Sequence, residues 1–418
     1  MNFLFYLFYN LLITLALPTA WVVAYFNDKL GGSLEGQHNI KQALVKFSAK
    51  VKQSPKPIVW LHAASAGEFE QIKPILSRVS EFDVYIFQTF TSATIYYKAS
   101  FDPRFDGVSF LPWDIYTRVN RFIKQLQPNI MINTRHDIWP NLQLALNRNQ
   151  IRNILVNANL YEDSTRLKPF IKQINQGVFR YIDKIYTGSE SLKALLDNLY
   201  TGQITVVGDS RFDQVNDRAK TNDSVLIPAD ILSDHRVIIY GSVGPSDLTT
   251  IIGAIANIRP DNNALHIIVP HETLERDLIP WEIELFRHKI KTIRKTEIEQ
   301  FIDEKVIIWN SVGQLADLYK YAWLAYIGAG FDAGVHSVTE ASVYQVPSAH
   351  GPKYDILAEA IDLVDMELST VVHDDQELSK FLSMSQDIHS DLSARIKLFI
   401  TSRLGATDKI IQNEFPLT

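Results

Sequence analysis

From residue 57 onward the chain alternates short apolar runs with amphipathic stretches, and this rhythm limits what it can fold into. PIVWLH, DVYIFQTF, NIMINT, RNILVNA, KIYTG and ITVVG have the length and the Val, Ile and aromatic content of strands. Segments such as TRVNRFIKQL, which separate most of them, carry apolar residues at helical spacing. Strands that alternate with helices build parallel sheets through crossover connections. The rhythm pauses over residues 213–234, DQVNDRAKTNDSVLIPADILSD, a polar stretch holding Pro228. It resumes with RVIIYGS, ALHIIVP, KVIIWN, WLAYIGAG and a weaker VPSAHG. The expected fold class is therefore α/β, with an N-terminal domain over residues 57–220, a linker over 221–234 and a C-terminal domain over 235–418.

The first 27 residues, MNFLFYLFYNLLITLALPTAWVVAYFN, contain no charged side chain. A helix crosses a bilayer with roughly 20 apolar residues, and Tyr6, Tyr9, Trp21 and Tyr25 flank this run as interfacial aromatics do. A cleaved signal peptide would need a basic leader and a shorter apolar core. Residues 1–27 are thus expected to form an uncleaved membrane anchor, followed by a basic linker over 28–56. There Lys29, Lys41, Lys46, Lys50, Lys52 and Lys56 outnumber Asp28 and Glu35, which keeps this flank cytoplasmic or simply solvates it. A net charge of −6 argues against broad nucleic-acid binding. The absence of cysteine excludes disulfides, thiolate catalysis and Cys-ligated zinc, and no HExxH or similar metal spacing occurs.

Chemistry is expected in the turns after the strands. In HAASAGE, small residues including Ser65 and Gly67 admit a close ligand, and Glu68 opens the next helix. An acid there either complements the helix dipole or acts as a general base. NTRHDIWPN places Arg135, His136 and Asp137 before a helix starting near Pro140, as a polar-ligand site or a surface ion cluster. Arg211 in GDSRFD can bind phosphate or pair with Asp209 or Asp213. Gly241, Ser242 and Gly244 form a glycine turn suited to an anion, without the pattern of a Walker or dinucleotide loop. His271 and Glu272 end the next apolar run. Finally, in IGAGFDAGVHSVTEASVY, Gly334 loosens a loop, His336 and Ser337 are expected to open and cap a helix, and Glu340 can accept two ribose hydroxyls or stand exposed.

In order, these loops resemble the 3-deoxy-D-manno-oct-2-ulosonic acid (Kdo) transferases, membrane-anchored glycosyltransferases of lipopolysaccharide core synthesis. The resemblance rests on WLHAASAGEFEQIKPIL, LPWD at 111–114, WPN at 139–141, VNANL at 156–160, GDSRFD, PHE at 270–272 and the GxGF…GxH…EA…GP series, to about residue 365. It is nearest to Bacteroidetes forms. It implies a GT-B fold of two Rossmann-like domains, the acceptor on the first and CMP-Kdo mostly on the second. It implies inverting transfer to the lipid A precursor lipid IVA at the cytoplasmic face of the inner membrane, with no cofactor, metal or nucleic acid. The family's general base falls on Glu68; Gly241, Ser242, His336 and Ser337 would hold the donor phosphate, Glu340 the ribose, and Arg135 an acidic group of either substrate. Ser65, Gly67, Asp137, Arg211, His271, Glu272 and Gly334 complete the expected substrate-binding set. The chain departs from the family at Asp137 (Glu), Ser337 (Asn), Trp113 (aliphatic) and Ser348–His350 (apolar). Two other readings share these loops: a GT-B enzyme with another nucleotide sugar, and a non-catalytic membrane-anchored binding protein.

Overall fold

The computed structural model describes residues 3–24, 28–135, 137–161, 164–233, 235–258 and 263–415. Two seven-stranded sheets are present. The first contains β1 (Ile58–Ala63), β2 (Tyr85–Phe90), β3 (Gly107–Phe110), β4 (Ile130–Thr134), β5 (Arg152–Ala158), β6 (Lys184–Thr187) and β7 (Gln203–Val206), in the order β3-β2-β1-β4-β5-β6-β7. The second contains β8 (Arg236–Val243), β9 (Ala264–Pro270), β10 (Thr292–Arg294), β11 (Val306–Ile308), β12 (Ala322–Ile327), β13 (Ser348–His350) and β14 (Ser369–Val371), in the order β10-β11-β9-β8-β12-β13-β14. Every pairing is parallel.

Each sheet is covered on both faces, so its central strands read as unbroken apolar runs. All six residues of β1 are buried. Val59, Leu61 and Ala63 face the helix α3 (Ala66–Val79), which turns Phe69, Ile72, Ile75 and Leu76 toward them. Ile58 and Trp60 face the opposite layer, where Phe122 and Leu146 pack. In both sheets the first strand lies inside the order, flanked by β2 and β4 or by β9 and β12. The order reverses there, which leaves a crevice outside the carboxyl ends of those strands. The sequence missed β3, β10 and β14. All are edge strands or their equivalent, three or four residues long, too short for a periodic signal.

Two compact units carry these sheets, Met1–Gln214 with Arg403–Thr418, and Val215–Ser402. The closing residues therefore leave the domain in which the sequence division at 235 had put them. Ala406, Ile410 and Ile411 of the helix Ala406–Glu414 are buried in the first unit's core against α3 and β6 residues. Glu414 accepts from Tyr186 Oη (2.6 Å) and Arg152 Nε (2.6 Å), while Asp213 receives the Gly405 and Thr407 N–H groups, both at 2.7 Å.

The uncharged N-terminal stretch forms the helix α1 (Phe3–Ala24), followed by α2 (Asp28–Gln53). Among the described residues no helix is long and apolar enough to cross a membrane. The expected span is not confirmed, and α1 is instead tied to the first unit by side chains that lipid would leave unpaired. Tyr9 Oη donates to Asp114 (2.9 Å), and Asn10 exchanges bonds with Asn141 (3.0 and 3.2 Å) while accepting the Tyr116 N–H (3.0 Å). Leu4, Leu7, Phe8, Leu11, Leu12 and Leu15 recur at helical spacing on an exposed face. The side chains of Trp21, Tyr25 and Lys29 lie outside the described set.

Fully burying one Ile is worth roughly 1.5–3 kcal/mol, a large share of a marginal folding free energy. Ile410→Ala should lower stability in urea unfolding by about 2–5 kcal/mol. Leu398→Ala, at an exposed site of the second unit, should change it by less than about 0.5 kcal/mol.

Candidate active site

At the first switch point, the turn after β1 is set by a capping box. Ser65 is the N-cap of α3, and Glu68 is its third residue. Glu68 Oε2 accepts the Ser65 N–H (2.8 Å) and the Ser65 hydroxyl (3.1 Å), while the Glu68 N–H reaches back to Ser65 Oγ at 3.4 Å. This is the capping role that the sequence allowed, and it fixes the carboxyl group. Glu68 is buried except for a 6% remnant, and its Oε1 has no hydrogen bond among the described residues. One oxygen anchors the group and the other is uncommitted among the described residues. A Cβ on Gly67 would meet nothing within 4 Å, so the turn faces open space.

Beneath this turn runs a directed hydrogen-bond chain that the motifs did not reveal. Trp60 Nε1 donates to Thr89 Oγ1 (2.8 Å), the Thr89 hydroxyl to His62 Nδ1 (2.8 Å), and His62 Nε2 to Asp137 Oδ2 (2.7 Å). The Asp137 carboxylate accepts from His62 Nε2, which leaves Nδ1 of the neutral ring to accept from the Thr89 hydroxyl. Asp137 is therefore engaged by the fully buried His62 across the β1–β4 crevice. Arg135, adjacent, holds the left-handed conformation (φ 61°), and its buried Nε has no partner among the described residues. Non-glycine residues held there carry backbone strain, which concentrates at ligand sites. His136 lies outside the described residues.

The remaining motifs of this unit hold one another in place. Ser210 of GDSRFD bonds Asn157 of VNANL (2.7 and 3.1 Å) and donates to the Gln71 carbonyl on α3 (2.6 Å). With the Gln71 amide oxygen turned toward it, Arg211 donates from Nε (3.2 Å) and Nη2 (2.7 Å), one helical turn beyond Glu68. Asp209 takes the Arg211 backbone N–H (2.8 Å). Asp114 of LPWD accepts the Asn141 and Leu142 N–H groups (3.0 and 2.8 Å), capping the helix Pro140–Arg148 that WPN begins. Burial pushes the Asp114 carboxyl up to about 6, against the pull of these donors and Tyr9.

In the second unit, the turns after β8, β9 and β12 meet around a cavity of about 270 Å³. Ser242, Gly244, His271, Glu272, Asp277 and His336 line it. Ser242 adopts φ 56° and its hydroxyl pairs with His271 Nδ1 at 2.8 Å. His271 and His336 stack with centroids 4.7 Å apart and planes 7° from parallel. Burial, then the neighbouring His271, hold His336 below the ordinary imidazole range, with Asp247 opposing. Gly241 is needed because a Cβ there would lie 2.0 Å from Tyr319 Oη. Gly334 sits at φ 115°, a conformation that side chains resist.

Two expectations change here. The helix after the loop is Thr339–Ser342, and its N-cap is Val338. Ser337 bonds Thr339 Oγ1 (2.9 Å) and caps no helix. Neither Ser337 nor Glu340 lines the cavity, and Glu340 lies near the buried Tyr319. The sequence also overlooked Asp247, wholly buried, which accepts from Tyr326 Oη (2.9 Å), Gly244 N (2.9 Å) and Ala329 N (3.0 Å). It ties the β8 turn to the β12 turn; an Asp in a PSD turn has no sequence mark that separates this role from capping.

Two parallel seven-stranded sheets, each with a switch point beside its first strand, define a GT-B-like α/β fold. Solved structures with this fold include UDP-GlcNAc 2-epimerase from Neisseria meningitidis bound to UDP-GlcNAc (TM-score 0.62, 12% identity, 85% of this chain and 98% of that one). MurG from Acinetobacter baumannii is similar too (TM-score 0.56, 11% identity, 86% and 99%). The family model for 3-deoxy-D-manno-octulosonic-acid transferase (kdotransferase) matches residues 38–214. Curated 3-deoxy-D-manno-octulosonic acid transferases match along most of the chain. The one from Chlamydia trachomatis serovar A is 24% identical over 364 residues (82% of this chain, 80% of that protein), and the one from Chlamydia pneumoniae 22% over 389 residues (88% and 87%). By these matches the chain is similar to the Kdo transferases, which are glycosyltransferases.

Asp114 yields a pH test. Its folded value near 6 exceeds the ordinary value near 4, so its contribution to stability is complete below about pH 4 and is lost as pH rises through about 6. Between pH 4 and 7 wild type should lose on the order of 3 kcal/mol relative to Asp114→Asn. Urea unfolding of both chains across that range measures the difference; parallel curves would remove the assignment.

Proposed function

We propose that this protein moves Kdo from CMP-Kdo to a lipid A precursor of the lipid IVA type, with inversion and without a metal. The supporting observation is the Glu68 carboxylate, held by its capping box at the first switch point with Oε1 uncommitted. Oε1 takes the proton of the acceptor hydroxyl as that oxygen attacks the anomeric carbon of Kdo. The bond from that carbon to the CMP phosphate breaks, and CMP leaves with the electron pair. Attack opposite the leaving group gives inversion. In the second unit, Ser242, His271 and His336 are the groups suited to the phosphate as its charge grows. The carboxylates of Glu272 and Asp277 in the same cavity suit sugar hydroxyls. Arg135, with an unpartnered Nε, suits an acidic group of a substrate.

Gln serves as well as Glu at the third position of a capping box. Glu68→Gln should therefore keep the unfolding midpoint while lowering kcat by about 10²–10⁴. Transfer from CMP-Kdo to lipid IVA, followed by mass spectrometry with and without EDTA, reads this. Near wild-type turnover in the variant removes Glu68 as base, and a rate abolished by EDTA removes the metal-free mechanism.

We further propose that the enzyme works on the cytoplasmic face of the inner membrane, with the exposed Leu4–Leu15 face of α1 lying in the headgroup boundary. Leu7→Glu with Leu11→Glu should release the protein from membranes into the supernatant at high salt. Unchanged sedimentation would refute this placement.

A further inference from the structure

Two cavities of the first unit adjoin each other beside the Glu68 turn. The first, about 360 Å³, is walled by Ile13, Ala16 and Leu17 of α1 and by Leu111, Trp113 and Trp139. Thr91 also lines it, and the next residue, Ser92, donates its N–H to the Ala64 carbonyl (3.0 Å) within the HAASAGE turn. The second, about 460 Å³, is lined by Lys41, Arg118 and Arg121 and by no acid. Gln37 and Pro112 belong to both walls. Gln37 holds this partition by donating to Leu111 O (2.9 Å) and accepting from Trp113 N (3.1 Å).

The two chambers differ in chemistry. The first is apolar, and it opens beneath the helix whose outer face is a row of exposed leucines. Trp139 in its wall has a buried indole N–H with no acceptor among the described residues. Lys41, Arg118 and Arg121 in the second make no ion pair or side-chain hydrogen bond among the described residues, and they gather positive charge on a chain that is negative overall. A hydrocarbon chain complements the first chamber, an ester carbonyl its indole, and a phosphate monoester the second. Only an amphiphile carrying both groups fills the pair.

We infer that these joined cavities bind the acceptor itself, with one acyl chain under α1 and one phosphate among Lys41, Arg118 and Arg121. This inference rests on the proposed transfer to a phosphorylated lipid, and it adds which parts of that lipid the protein grips. Trp113 sets the depth of the acyl chamber. α1 is then a wall of the substrate site, held there by Tyr9 and Asn10.

Calorimetric titration with lysophosphatidic acid, which carries one chain and one phosphate, tests binding without requiring turnover. The wild-type chain should bind it at least tenfold more tightly than glycerol 3-phosphate. Ala16→Trp, which fills the apolar chamber from the helix surface, should weaken lysophosphatidic acid at least tenfold. Arg118→Glu with Arg121→Glu, both exposed, should do the same. Lipid IVA should displace the probe, whereas phosphatidylglycerol vesicles should not. Retained affinity in either variant, or displacement by the vesicles alone, overturns the inference. In the transfer assay both variants should raise KM for lipid IVA at least tenfold and leave KM for CMP-Kdo within twofold. An inactive wild type that still binds the probe and releases it to lipid IVA would fault the transfer reading and leave this site standing.

Discussion

Strands buried on both faces leave a protein few places for polar chemistry, and that constraint organises this molecule. β1 has no exposed residue, and its neighbours are nearly as enclosed, so only the turns at the strand ends can meet a ligand. Polar side chains admitted into such ends must find partners or destabilise the fold. His62, Thr89, Asp137 and Glu68 do so through bonds of 2.7–3.1 Å, which also hold the turn in one shape. The same requirement explains Asp247 in the second unit, whose two oxygens answer three donors, two from turns and one from β12.

Structure and reactivity are thus the same bonds seen from two sides. Capping and catalysis stood as rival readings of Glu68, yet the capping box uses a single carboxylate oxygen and orients the other. Motifs separated along the chain prove to be partners: Asp114 caps the helix of WPN, and Ser210 joins Asn157 to α3. Such pairs fix the turns that carry the candidate groups. A turn held in one shape matters where a proton moves over hydrogen-bond distance.

The N-terminal helix shows how one pattern can serve two environments. Its exposed leucines suit a lipid boundary, while Tyr9 and Asn10 satisfy polar groups of the domain. Hydropathy sums these faces together; only the docked helix separates them. The aromatic wall formed by Trp113 and Trp139 is likewise assembled from turns distant in sequence.

What the amino-acid order determined by itself was the local content of the fold: parallel strands, crossover helices, the polar break within residues 213–234 and the turns that follow the strands. Those features arise from periodicity and turn-forming residues, which act over a few positions. Ordered motifs carried the resemblance to the Kdo transferases as well. The tertiary structure alone decided what depends on partners far apart in the chain. It sent the helix Ala406–Glu414 back to the first unit, because Ile410 and Ile411 fill that core. It removed the helix cap from Ser337 and gave Asp137 to His62. It added β3, β10 and β14, short edge strands defined by pairing with the adjacent strand of the sheet. Burial and hydrogen-bond satisfaction are properties of the assembled fold, and no short window of sequence contains them.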